Sequence, residues 1–120
     1  MPSKLELELY QQIVGEQLSG VTFVMDYLQL QFNPPPTMNV YTPLTVRCNG
    51  MNFVWDDDQF RNKLCEQITK LVKSVEVIDE EVFLILFEDG SEISISLKSE
   101  DYVGPEAINF FGRDNRWNVI

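Results

Sequence analysis

Between Leu28 and Phe32 apolar and polar residues alternate, and the same apolar positions return 55 residues later at Phe83, Ile85 and Phe87. A period of two puts every apolar side chain on one face of an extended strand. At the same offset Met38 and Val40 fall on Ile93 and Ile95, and Gln12-Ile13 fall on Gln67-Ile68. Val21 and Phe23 meet Val75 and Val77 at 54, which places a one-residue insertion in the turn between the first two strands. Pro34-Pro35-Pro36 then stands where the second half has Asp89-Gly90-Ser91. The pattern predicts an α+β fold: two copies of a helix followed by antiparallel strands, related by pseudo-twofold symmetry and packed as one domain. The repeats span about 5–43 and 58–98, with 44–55 and 99–120 as connecting or terminal strands and loops. Chance similarity between two amphipathic segments is the alternative.

The elements follow from spacing. Ser3 and Glu6 fit a capping box, and Leu5 to Gly15 reads as a helix with Leu5, Leu9 and Ile13 on one face. Asp56, Asp57 and Asp58 offer N-caps to a second helix, in which Phe60, Leu64, Ile68, Leu71 and Val72 recur at helical spacing. Strands are expected at 21–24, 28–32, 38–41, 75–78, 82–87 and 93–97, with shorter ones at 44–48, 51–55 and 116–120. Asn49-Gly50 and Glu88-Asp89-Gly90-Ser91 are hairpin turns. Val82 to Phe87, apolar throughout, is expected to be central and covered on both faces.

At 120 residues, with 44% apolar and 23% charged side chains, the chain can close a single core without staples. No apolar run approaches the ~18 residues of a spanning helix, and the first residues lack the order of a secretion signal. A cytoplasmic location is the expectation. Cys48 and Cys65 match no metal or redox spacing and read as buried free thiols. The net charge of −10 argues against nucleic acid and anionic membranes, and it is compatible with a basic protein partner. Plain solubility is the bland explanation of the same charge.

Histidine is absent, which removes Ser-His-Asp and Cys-His nucleophiles and histidine metal sites. The six glycines are isolated turn residues, so no phosphate-binding loop is present, and no cofactor is expected. Carboxylates remain. Asp26-Tyr27 lies in the turn between the first two strands, and Glu100-Asp101-Tyr102 opens an unusual segment running through Gly104-Pro105 to Glu106. Asp26, Tyr27, Glu100, Asp101, Tyr102 and Glu106 are the candidate binding residues. A loop pinned by Tyr102, with a short helical turn near Glu106, is the structural reading of the same segment.

Val24-Met25-Asp26-Tyr27-Leu28-Gln29-Leu30 and Glu100-Asp101-Tyr102-Val103-Gly104-Pro105-Glu106-Ala107 resemble motifs of a family of small uncharacterised bacterial proteins, a domain of unknown function. The resemblance runs over most of the chain; it implies a bacterial origin and transfers no catalytic residue. Three readings follow. The first is a non-enzymatic binding factor, immunity- or regulator-like, with an acidic surface for a basic partner and Tyr41, Phe111 and Trp117 as aromatic anchors. The second is a carboxylate- or metal-dependent enzyme in which Asp26, Glu100, Asp101 and Glu106 converge. The third is a structural, self-associating protein that forms a homodimer through the apolar Val82 to Phe87 strand or an uncovered sheet edge.

Overall fold

A computed structural model describes residues 4–120, except for the side chain of Leu5. The fold is α+β, and antiparallel sheet dominates it. Helix α1 spans Lys4–Tyr10 and tightens into a 3-10 turn at Gln11–Ile13. Strands β1 (Gly20–Val24), β2 (Tyr27–Gln31) and β3 (Thr37–Val40) follow, then β4 (Leu44–Cys48) and β5 (Met51–Phe53). Helix α2 covers Phe60–Cys65, and β6 (Val72–Ile78), β7 (Val82–Phe87) and β8 (Glu92–Ser96) come next. After a 3-10 turn at Ser99–Asp101, β9 (Ile108–Phe111) and β10 (Trp117–Val119) end the described chain.

Two five-stranded sheets result, with strand orders β1-β2-β3-β9-β10 and β5-β4-β8-β7-β6. Each sheet takes three consecutive strands from one half of the chain and a hairpin from the other. Main-chain bonds carry the chain across: the Tyr41 N–H donates to the Ala107 carbonyl (2.8 Å) and the Ser96 N–H to the Pro43 carbonyl (3.0 Å). The segments before β1 and β6 also pair, antiparallel, about Gln17 and Leu71.

The alternating strands bury one face each. Leu28, Leu30, Met38, Val40, Ile108 and Phe110 of the first sheet join Phe83, Ile85, Ile93, Ile95, Leu44 and Val46 of the second in one cluster. Tyr10 sits within it, fully buried, its ring edge-on to Phe83 (5.2 Å) in one sheet and Phe110 (5.3 Å) in the other. Its hydroxyl accepts a bond from Asn118 Nδ2 at 3.1 Å. Burial pushes its pKa well above the ordinary tyrosine value, helped by the negative Glu6 and opposed by the Asn118 bond.

The β9–β10 turn lies against the 3-10 turn after α1. Arg113 donates its main-chain N–H to Gln12 Oε1 (2.7 Å), and its guanidinium pairs with Glu16. A Cβ on Gly112 would stand 2.6 Å from Leu9 Cδ1 and from Gln12 Oε1, so a larger residue there would have to displace those side chains.

Several expectations need correction. The Ser3 half of the predicted capping box lies outside the described residues, as does the side chain of Leu5. α1 gives way to a 3-10 turn after Tyr10 rather than running to Gly15. α2 ends at Cys65, because Thr69 adopts φ +84° and the chain turns into β6; Val72 is a strand residue and Leu71 is exposed. Gln59 precedes α2, and no side chain caps that end. Asp57 instead closes a turn, its Oδ2 accepting the Val54 N–H at 2.7 Å. β9 was unexpected: a central strand in place of part of a loop. β7 is central, but Val82, Leu84 and Leu86 keep its second face half-exposed. The helical turn near Glu106 falls instead at Ser99–Asp101. Cys48 is buried, whereas Cys65 is exposed.

Candidate functional site

An apolar cleft lies at one end of the first sheet, with a cavity volume of about 390 Å³. That is within the range of ligand pockets. Four chain segments meet there. The tight β1–β2 turn supplies Met25 and Asp26 beside Val24 and Tyr27, which are register partners across that turn. The short β3–β4 link supplies Tyr41 and Pro43, and the chain leaving β5 supplies Val54, Trp55 and Asp56. Val103 reaches the cleft from the β8–β9 link. Leu28, Val40, Leu44 and Phe60, all buried, form its floor.

Strand alternation explains the floor, since the core-facing residues Leu28, Val40 and Leu44 lie at or next to strand ends. The rim is harder to explain by folding. Met25 and Val103 are 91% and 90% exposed, Trp55 is 55% exposed, and Val24 and Val54 are also exposed. The rings are arranged in pairs: Tyr27 and Tyr41 have centroids 5.2 Å apart, and Trp55 and Phe60 lie edge to face at 5.7 Å. Asp26 and Asp56 are the only charged side chains lining the cleft, and neither forms an ion pair among the described residues.

The other candidates lie elsewhere. Glu100 and Tyr102 line a second, more polar cleft of about 620 Å³ with Glu80, Glu81, Leu97 and Lys98. Tyr102 also borders an adjoining one of about 220 Å³ with Asp79, Val119 and Ile120. Tyr102 packs against the core, and burial raises the pKa of its hydroxyl. Asp101 accepts the Ser96 hydroxyl, whose carbonyl in turn accepts the Thr42 hydroxyl at 2.6 Å. Glu106 is half-buried and lines none of these clefts. The structure therefore joins Asp26 with Tyr27, and Glu100 with Tyr102, and does not gather Asp26, Glu100 and Glu106 in one cleft. Phe111 and Trp117 are exposed neighbours on β9 and β10, away from the apolar cleft.

Among the described residues no group of three or more His, Cys, Asp or Glu side chains could hold a metal ion, and no helix is long and apolar enough to cross a membrane. Met25, Trp55, Asp56 and Val103 were not among the candidate residues. A signal for two of them existed. Met25 occupies a two-residue turn and Val103 precedes Gly-Pro, positions where an apolar residue serves no core.

Comparison with family models, with curated proteins and with solved structures finds no match.

Proposed function

We propose that this chain is a non-enzymatic binding module that engages a basic protein partner, as an immunity or regulatory factor would. The observation that carries the reading is the exposed apolar rim of Met25, Val103 and Trp55 around a cleft whose only charges are Asp26 and Asp56. Exposed apolar residues cost solubility and signal contact with another surface. Aromatic residues in a pocket make effective anchors. A net charge of −10 steers a basic partner toward the molecule from a distance.

We further infer that the two halves are copies related by a pseudo-twofold axis. Leu28, Leu30, Phe32, Met38 and Val40 are buried, as are Phe83, Ile85, Phe87, Ile93 and Ile95 at an offset of 55. The Phe32 N–H bonds the Pro36 carbonyl and the Phe87 N–H bonds the Ser91 carbonyl, at the same offset. The order β1-β2-β3-β9-β10 maps onto β6-β7-β8-β4-β5, and the Gln17–Leu71 bridge is where such an axis would pass. On this reading the apolar cleft and the Tyr102 cleft are equivalent positions, and only the first has a mainly apolar lining.

Affinity capture from a bacterial lysate tests the binding reading, with wild type and a Met25→Ser/Val103→Ser double variant compared at low and moderate salt. The expected result is a stoichiometric basic protein that is released as salt rises and is absent from the variant. Equal recovery by the variant, or recovery of the bait alone, would sink it.

A further inference from the structure

We propose that the apolar cleft receives an arginine side chain presented by an apolar segment of the partner; this rests on the binding reading above and assigns its chemistry. Asp26 and Asp56 line the cleft, and neither is paired with a cation among the described residues. Covering them with a purely apolar segment would strip water from two unpaired carboxylates, a cost that rises steeply with burial. An anionic ligand would meet repulsion. A cation removes both objections.

The aromatic lining narrows the cation further. Tyr27, Tyr41 and Trp55 line the same cleft as the two carboxylates. A guanidinium stacks on aromatic faces and forks onto a carboxylate in one arrangement, whereas an ammonium is more strongly hydrated and presents a point charge. The chain uses the same chemistry next door. Arg61 lies 5.4 Å from the ring centroid of Phe23, and Lys63 lies 5.5 Å from that of Phe53. Those two cations cover the residues adjoining Val24 and Val54 and do not line the cleft, so among the described residues no cation lies over its own rings. Met25 and Val103, at the rim, suit apolar residues flanking the arginine.

The test uses the full chain carrying Trp117→Phe, so that Trp55 is the single indole reporter. It is titrated with a short acetylated and amidated peptide, Leu-Gly-Arg-Gly-Leu, and with the same peptide carrying citrulline or lysine in place of arginine. A saturable Trp55 fluorescence change is expected with the arginine peptide, with binding about tenfold weaker for citrulline and intermediate for lysine. The Asp26→Asn/Asp56→Asn double variant should lose the preference for arginine over citrulline while its urea midpoint stays put. No saturable response to arginine, equal binding of citrulline, or an unchanged preference in the double variant overturns the proposal. If the arginine peptide fails while a basic protein is still captured in a Met25- and Val103-dependent way, the assignment of arginine falls and the broader reading stands. If both fail, both fall.

Discussion

Two depressions in this molecule are assembled from similar parts and come out opposite in character. Each is formed by the turn of a first hairpin and the link that carries the chain to the other sheet, together with the chain leaving a terminal hairpin. At Asp26 the link is only residues 41–43, and the cleft keeps apolar and aromatic walls open to solvent. At Glu80 the link runs from 97 to 107, and Tyr102 folds back from it onto the core. The long link packs its aromatic residue onto the core; beside the short one Trp55 stays more than half exposed. Comparable surroundings thus serve packing in one place and, on the proposed reading, recognition in the other.

The sharpest way to break this comparison is truncation of one aromatic residue from each side. Tyr102→Ala should cost about 2 kcal/mol in urea unfolding, as expected for a half-buried ring. Trp55→Ala should cost less than about 1 kcal/mol yet abolish partner capture. Equal losses of stability would mean that the two clefts do not divide the work.

A smaller effect should appear in alkali. Burial raises the Tyr102 pKa above that of the unfolded chain, so the folded form disfavours its ionisation. The associated stability is fully present below about pH 10 and declines as pH rises through the folded value. Comparing wild type with Tyr102→Phe between pH 9 and 11 isolates it: the variant should show the shallower decline, and parallel curves would count against a packed Tyr102. Tyr10 contributes in the same direction in both proteins and cancels in the difference.

The smallest effect concerns the hairpin tips at the other end of the sheets. Asp89 bonds to Lys70 and Ser91, and these contacts lower its pKa from 3.8 to about 2. Its stabilisation is present above pH 4 and disappears as pH falls through about 2. With half of the Asp89 side chain exposed, water screens the pair, and the loss should be a few tenths of a kcal/mol. The β2–β3 tip has Pro34-Pro35-Pro36 instead. Hydrogen exchange between pH 4.5 and 2.5, corrected for intrinsic rates, should show Gly90 and Ser91 losing protection before Thr37 and Met38. Simultaneous loss would remove the distinction.

Much of the architecture was legible because strands bury alternate residues, and Leu28-Gln-Leu-Gln-Phe32 carries that pattern openly. Asn49-Gly50 likewise announced its turn: both residues adopt positive φ (53° and 75°), which these residue types tolerate. Spacing misled at α2, since Leu71 and Val72 continue the helical period of Leu64 and Ile68 but are claimed by pairing with the segment before β1. Ile108-Asn109-Phe110-Phe111 lacks a long alternation and gains its strand identity from β3 and β10 on either side. The cleft was half legible. Asp26 and Tyr27 stood out, but Trp55 and Val103 reach it from segments distant in sequence, which local periodicity cannot join.

The exchange of hairpins between sheets has a consequence for synthesis on the ribosome. β3 waits for β9, its neighbour in the first sheet, while nearly seventy intervening residues emerge from the exit tunnel. Until then that strand has an unpaired edge, and β4 and β5 have no sheet to join until β8 appears. The nascent chain must therefore hold an unfinished sheet in a crowded cell, and the late arrival of residues 108–119 acts as the latch that retires the exposed edge.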